Sequence, residues 1–333
     1  MASNLLKFHT QSMKISHPLL HFHLSKLPYL NPLSSLGATQ LNHLYLPVFF
    51  TKKPKPKPKF SPFQCSFSSP TPPTTKEDAI SQAKFSLSTT LEKPLNNPKL
   101  VGRLKKLKQP RFRVEIPVLD DSPSAICQLA VDIFGGMIIK RKGPRIKILL
   151  LWPNQTLTQA AETAFEEKSS NTIIENLDIS SRIENSGDVL VFMAPEASRL
   201  ALMKEIADTL YPKPMVIFNP NWGFDEEGSF GELSGFVSSF DVVYSFMGLE
   251  VRGILSNRKG VMFKCVKDGV LSGEKWYVFV EEDGELKVVS RFKTRPSIVE
   301  VENVLYNLMA VNSPITKSAK FLKDLVSNVR GKK

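Results

Sequence analysis

Seven side chains stand where apolar stretches give way to polar ones, and their types could build a binding edge: Asp120, Asp121, Asn154, Glu196, Asn219, Asn221 and Trp222. Paired carboxylates such as Asp120 and Asp121 can exchange protons, or hold magnesium if phosphate oxygens complete its shell. Adjacent residues usually diverge, however, and no phosphate cradle accompanies them. Asp121 and Glu196 fall at helix starts, where an acid caps the first turn and complements the macrodipole whatever the function. The run Asn219-Pro220-Asn221-Trp222-Gly223 asks for more, because an Asn-Pro turn needs neither a second carboxamide nor a large indole. Trp222 then either covers a sheet edge or meets a ligand or partner.

Other reactive groups narrow the chemistry. All five histidines, His9, His17, His21, His23 and His43, precede residue 44. A chain that loses its N-terminal segment therefore has no imidazole, which excludes Ser-His-Asp and Cys-His catalysis and histidine metal ligation within one chain. Cys127 and Cys265 have apolar neighbours, as buried structural thiols do, and no Cys-x-x-Cys spacing is present. Tyr211 and Tyr244 read as packed aromatics with wet hydroxyls. The GxxxxGK[ST] phosphate loop is absent, and Gly135-Gly136, set among apolar residues, marks a helix kink or end better than a dinucleotide turn. No catalytic set, metal cluster or cofactor motif emerges, so the residues favour a non-catalytic binding module. The alternative is a small-molecule or nucleotide-dependent enzyme that uses the same edge.

Apolar spacing defines the elements that would carry these groups. Helical periods cover 76–92, with a Thr74 to Glu77 capping box, then 121–139, 156–167 and 196–210. Strand patterns cover 112–118, 146–152, 188–193, 215–218 and 241–246. Largely apolar strands alternating with helices imply parallel βαβ units. The fold class is therefore three-layer α/β, a mostly parallel sheet with helices on both faces. Beyond Gly248 the strands 261–266, 275–280 and 285–291 are separated by Asp268-Gly269 and Asp283-Gly284 turn signals, which predicts an antiparallel meander extending the sheet. Two C-terminal helices follow, one opened by a Ser297 to Glu300 capping box and one by Ser313-Pro314. Ligands of open parallel sheets bind beyond the carboxyl ends of the strands, which is where the seven side chains fall.

Charge divides the chain further. The formal net charge is +12, yet residues 1–75 hold eight lysines and no acid, leaving +4 for the other 258 residues. That segment is also rich in Ser, Thr, Leu and Pro and has no unbroken apolar core, which reads as a chloroplast transit peptide over 1–65 and a disordered leader over 66–73. The lack of Arg before Arg103 weighs against a mitochondrial presequence. A single α/β domain is expected over 74–310 and a basic helix and tail over 311–333. Residues 93–113 carry eight cations and no acid, among them Lys99, Arg103, Lys105, Lys106, Lys108 and Arg111. This basic patch can orient the protein on an anionic membrane or acidic partner, or be a solvated linker. Nucleic acid is disfavoured because no aromatic platform accompanies the cations. No apolar run approaches the roughly 20 residues that cross a bilayer, so the protein is expected to be soluble or peripheral.

Three motifs carry a resemblance: Arg113-Val114-Glu115-Ile116-Pro117, Leu190-Val191-Phe192-Met193-Ala194-Pro195-Glu196, and Val216-Ile217-Phe218-Asn219-Pro220-Asn221-Trp222. With Phe240 to Tyr244 and Trp276 they make the chain, over roughly residues 74 to 292, similar to a plastid and cyanobacterial domain family of unknown function that includes the photosystem II assembly protein Low PSII Accumulation 3. Trp152-Pro153-Asn154 departs from the family pattern, which often has an acid after the proline. The resemblance implies a stromal, thylakoid-associated auxiliary factor with a protein partner, such as a photosystem II subunit or assembly factor. It carries over no catalytic residue.

Overall fold

The computed structural model describes residues 71–96, 109–117, 122–166, 171–178, 187–252 and 257–312. The transit-peptide segment 1–65, the leader up to residue 70, most of the basic patch, Asp120, Asp121 and the second C-terminal helix lie outside those residues.

Strands whose residues are all apolar form the centre. β2 (Ile148–Trp152) and β4 (Val189–Met193) are buried at every position, and β5 (Met215–Phe218) likewise. Such strands have no face that tolerates water, so helices must cover both sides. β1 (Arg111–Glu115) lies beside β5 and differs from it in carrying three charged residues. β3 (Thr172–Asn176), β6 (Asp241–Arg252), β7 (Asn257–Cys265), β8 (Trp276–Glu282) and β9 (Glu285–Phe292) complete a nine-stranded sheet. Its order is β3-β2-β4-β5-β1-β6-β7-β8-β9. Neighbours from β3 to β6 are parallel, and those from β6 to β9 are antiparallel. The fold is the expected α/β sheet with a C-terminal meander.

Helices α1 (Lys76–Asn96), α2 (Pro123–Phe134) and α3 (Gln155–Phe165) cover one face, burying Ala83, Leu87, Leu91, Ile133, Phe134 and Ala161 against Leu150, Val191 and Val216. Helix α4 (Leu200–Thr209) and the short α5 (Ser234–Ser238) cover the other, where Met203, Ile206 and Phe236 meet Leu151, Phe192 and Ile217. Helix α6 (Ile298–Asn312) closes a third cluster over the meander, with Val301 and Leu305 against Trp276 and Val278.

Local differences from the sequence expectations have simple causes. The α1 capping box is one residue later than expected: the Asp78 amide donates to Thr75 Oγ1 at 3.0 Å and the Thr75 amide to Asp78 Oδ2 at 3.2 Å. The expected helix over 121–139 stops at Phe134, because Gly135 leaves helical geometry and Gly136 takes φ +68°. Edge strand β3 has no counterpart among the sequence expectations; Thr-Ile-Ile-Glu-Asn is neither an unbroken apolar run nor an alternation. Asp283 and Gly284 do form the tight turn between β8 and β9, both at positive φ, with Glu282 paired to Glu285. Ser297 and Glu300 make the expected reciprocal cap of α6. Tyr244 does not keep the wet hydroxyl expected of it: it is wholly buried, its hydroxyl has no hydrogen-bond partner, and burial pushes its pKa upward. Tyr211 is exposed. Cys127 and Cys265 are free and buried, and burial pushes both thiols up to about 11, away from reactivity at neutral pH.

Candidate functional site

Neighbouring strands at the centre send their chains to opposite faces. β1 leads to α2 and β2 to α3 on one face, whereas β4 leads to α4 and β5 to α5 on the other. Chains diverging in this way leave a crevice at the carboxyl edge. A cavity of about 730 Å³ occupies it, lined from the ends of β1, β2, β4 and β5, the first turns of α2 and α3, the middle of β6, and Arg295.

Five of the seven residues singled out in the sequence line this cavity: Asn154, Glu196, Asn219, Asn221 and Trp222. They are not equivalent. Asn219, at φ +45°, donates from Nδ2 to Ile116 O at 2.8 Å and accepts from the Ile116 amide at 2.7 Å. Its side chain thus adds one more rung to the pairing of β5 with β1, which is a structural task. Asn154 caps α3, accepting from the Leu157 amide at 2.9 Å. Glu196 is exposed at the N-cap position of a short 3-10 turn, yet it makes no cap bond there and accepts from the Ser198 hydroxyl at 3.3 Å. Trp222 is buried in the second core, edge-on to Phe230, with its indole N–H 3.4 Å from Glu227. Asn221 is exposed and is tethered by its amide to Pro195 O. Of the group, its side chain is the one most available to a ligand.

The feature that the sequence reading missed is a buried charge network. Arg111, Arg113 and Glu115 alternate with Phe112 and Val114, so one face of β1 is charged although the strand sits inside the sheet. Arg113 is 3 % exposed and pairs with both Glu115, at 2.6 Å, and Glu227. The first contact lacks the alignment of a hydrogen bond, since Arg113 Nε has no hydrogen-bond partner. Arg295 reaches back from beyond β9 to Glu115 at 3.1 Å, and its guanidinium lies 3.9 Å from the centre of the Phe224 ring. The Ser245 hydroxyl donates to the other Glu115 oxygen at 2.6 Å. Burial alone would raise the Glu115 pKa, but the Arg113 and Arg295 charges and the Ser245 hydroxyl outweigh it and hold the carboxyl at about 2. Burial pulls Arg295 below the ordinary arginine value. The detectable signal was the charged i, i+2, i+4 stripe on one strand.

Arg111, counted in the basic patch, is not a free surface cation. It bonds Gln109 and the Ser239 hydroxyl, lies 5.0 Å from the Phe236 ring centre, and has its pKa lowered by burial. Lys99, Arg103, Lys105, Lys106 and Lys108 lie outside the described residues. Among the described residues, no group of three or more His, Cys, Asp or Glu side chains could hold a metal ion, and no helix is long and apolar enough to cross a membrane.

The fold and crevice define a mostly parallel α/β sheet protein with a carboxyl-edge site. More specifically, the chain belongs to the family described as Domain of unknown function (DUF1995), which matches residues 73–303. No curated protein matches it by sequence. Among solved structures it is similar to the flagellar accessory protein FlaH from Methanocaldococcus jannaschii, at 12 % identity over 54 % of this chain and 90 % of that one, with a TM-score of 0.24.

Proposed function

We propose that the protein is a non-catalytic auxiliary factor of the chloroplast stroma, peripheral to thylakoids, that binds a protein partner during assembly or maintenance of a photosynthetic complex such as photosystem II. The observation that carries the binding part is the commitment of the crevice's buried ions to one another. Glu115 is held ionised by two arginines, and Arg113 is shared between two carboxylates. Such a set offers fixed charge and shape for recognition rather than a group poised to exchange a proton near neutrality. The compartment is supported by the acid-free, hydroxyl-rich residues 1–75. The photosystem role is supported by the similarity to the family of Low PSII Accumulation 3, within which one domain can serve several tasks.

Graded salt washing of isolated thylakoids tests this reading. Release over moderate salt, together with co-purifying photosystem II subunits at low salt, is expected. Protein that is wholly soluble at low salt with no thylakoid subunit attached would overturn it.

One observation favours a second reading, a small-molecule or nucleotide site: the volume of the cavity and the exposed Asn221 on its rim. A thermal-shift screen against nucleotides, sugar phosphates and pterins tests it. A ligand shift abolished by Asn221→Ala would establish this reading over the first, and the absence of any shift would dismiss it.

A further inference from the structure

The connection from α2 to β2 carries a pattern that the crevice does not use. Between Asp132 and Glu162 the chain has no acid, and within that interval Lys140, Arg141, Lys142, Arg145 and Lys147 crowd into eight residues. All five are exposed. Immediately before them Met137 and Ile139 are buried in the main core, 3 % and 8 % exposed, while Ile138 between them is 80 % exposed. The alternation is that of an extended segment pinned on both sides, so Ile138 is held outward by its neighbours. The loop is also braced from behind. The Lys140 amide donates to Glu92 and the Lys142 amide to Asn96 Oδ1, while Asp188 receives both the Arg141 guanidinium, at 3.0 Å, and the Lys147 amide. The nearby acids are thus engaged largely with backbone, leaving the Lys140, Lys142 and Arg145 charges facing outward.

We infer that residues 136–147 form a docking surface for an anionic lipid bilayer, with Ile138 entering the interface and the surrounding cations meeting lipid headgroups. The inference rests on the peripheral membrane part of the function proposed above. An exposed aliphatic side chain followed within nine residues by five exposed cations fits a membrane, since apolar burial and headgroup attraction then act together. Single-stranded RNA would instead call for exposed aromatic side chains on which bases stack, and this loop has none. The loop enters the amino end of β2, whereas Pro153 and Asn154, after its carboxyl end, line the crevice. The five residues of β2 separate the two by about 16 Å. A membrane held at the amino edge leaves the crevice facing the aqueous phase, open to a partner.

Sedimentation of the full chain with phosphatidylcholine vesicles, with and without phosphatidylglycerol, tests the inference. Each cation near an anionic surface is worth about fivefold in partition, so Lys140→Gln/Lys142→Gln/Arg145→Gln is expected to lose on the order of a hundredfold. Ile138→Ser is expected to lose up to about tenfold. An equal loss in Lys267→Gln/Lys275→Gln/Lys293→Gln, three exposed lysines elsewhere, would reduce the effect to overall charge and overturn the inference. A polarity-sensitive fluorophore on Ile138→Cys, in a Cys65→Ser chain, should shift to the blue with anionic vesicles only. Sedimentation without that shift, or a shift with single-stranded RNA and not with vesicles, would overturn this docking surface. The function proposed above would then still stand or fall on the thylakoid wash alone.

Discussion

β1 and β4 are both interior strands of one sheet, each five residues long, yet one reads Arg-Phe-Arg-Val-Glu and the other Val-Leu-Val-Phe-Met. β4 is held by apolar contact with helices on both faces. β1 has that contact only through Phe112 and Val114, and on its other face it exchanges apolar packing for ions that must find partners at a distance: Glu227, Ser245 and Arg295. Burying ions in pairs is seldom more stabilising than packing hydrocarbon in the same space. The contrast therefore marks β1 as the strand where the fold gives up stability, and it does so beside the crevice.

Breaking the pairing should have the largest effect. Glu115→Ala leaves two guanidiniums buried without their shared carboxylate, and a loss of about 3–5 kcal/mol is expected in urea unfolding. A loss below about 1 kcal/mol would mean that water reaches the arginines and that the contrast with β4 is false. For β4 itself, Leu190→Ala should lose about 2–5 kcal/mol by cavity formation, with no dependence on pH. The Glu115 contribution must depend on pH. Its carboxyl titrates lower in the folded chain, about 2, than the ordinary 4.5, so the stabilisation is complete above about 4.5 and drains away as the pH falls towards 2. An acid unfolding limb that is unchanged in Glu115→Gln would remove this group from the account.

Asn219→Ala tests the join between the two strand types. It strips the Ile116 amide and carbonyl of their side-chain partner, for an expected loss of about 1–3 kcal/mol in the same unfolding measurement. The smallest stability change should come from the most drastic substitution. Arg113→Met/Glu115→Leu/Glu227→Gln/Arg295→Met removes the ions together, and the unfolding free energy should stay within about 1–2 kcal/mol of the parent. If the thylakoid subunits proposed as partners co-purify with this variant as they do with the parent, the charged stripe has no part in the proposed binding.

The comparison also explains what could be read in advance. β2, β4 and β5 are legible because each consists of apolar residues bounded by Asn, Pro or Gly, and the same punctuation identified Asn154, Glu196, Asn219, Asn221 and Trp222 at one edge. That rule locates residues by where strands end and says nothing of what each does. Asn219 and Asn154 proved to be engaged with backbone. The network escaped because its members lie far apart: Glu227, in a short 3-10 helix, and Arg295, in a loop after β9, come 114 and 182 positions after Arg113. A strand scored only for alternation looks like an ordinary half-exposed one. Combining the alternation of β1 with its place between β5 and β6 reveals the charges, and that place is fixed by pairings distant in sequence.

Those distant pairings also order events in time. The strands of the meander are consecutive in the chain, and β8 and β9 can close as a hairpin on their own. β1 cannot, because both of its neighbours, β5 and β6, are made at least about a hundred residues later, and closing loops of that length is slow. For that interval β1 is an unpaired strand in water. A Val-Leu-Val-Phe-Met sequence in its position would be a template for aggregation, whereas two arginines and a glutamate keep the waiting segment solvated until its partners arrive.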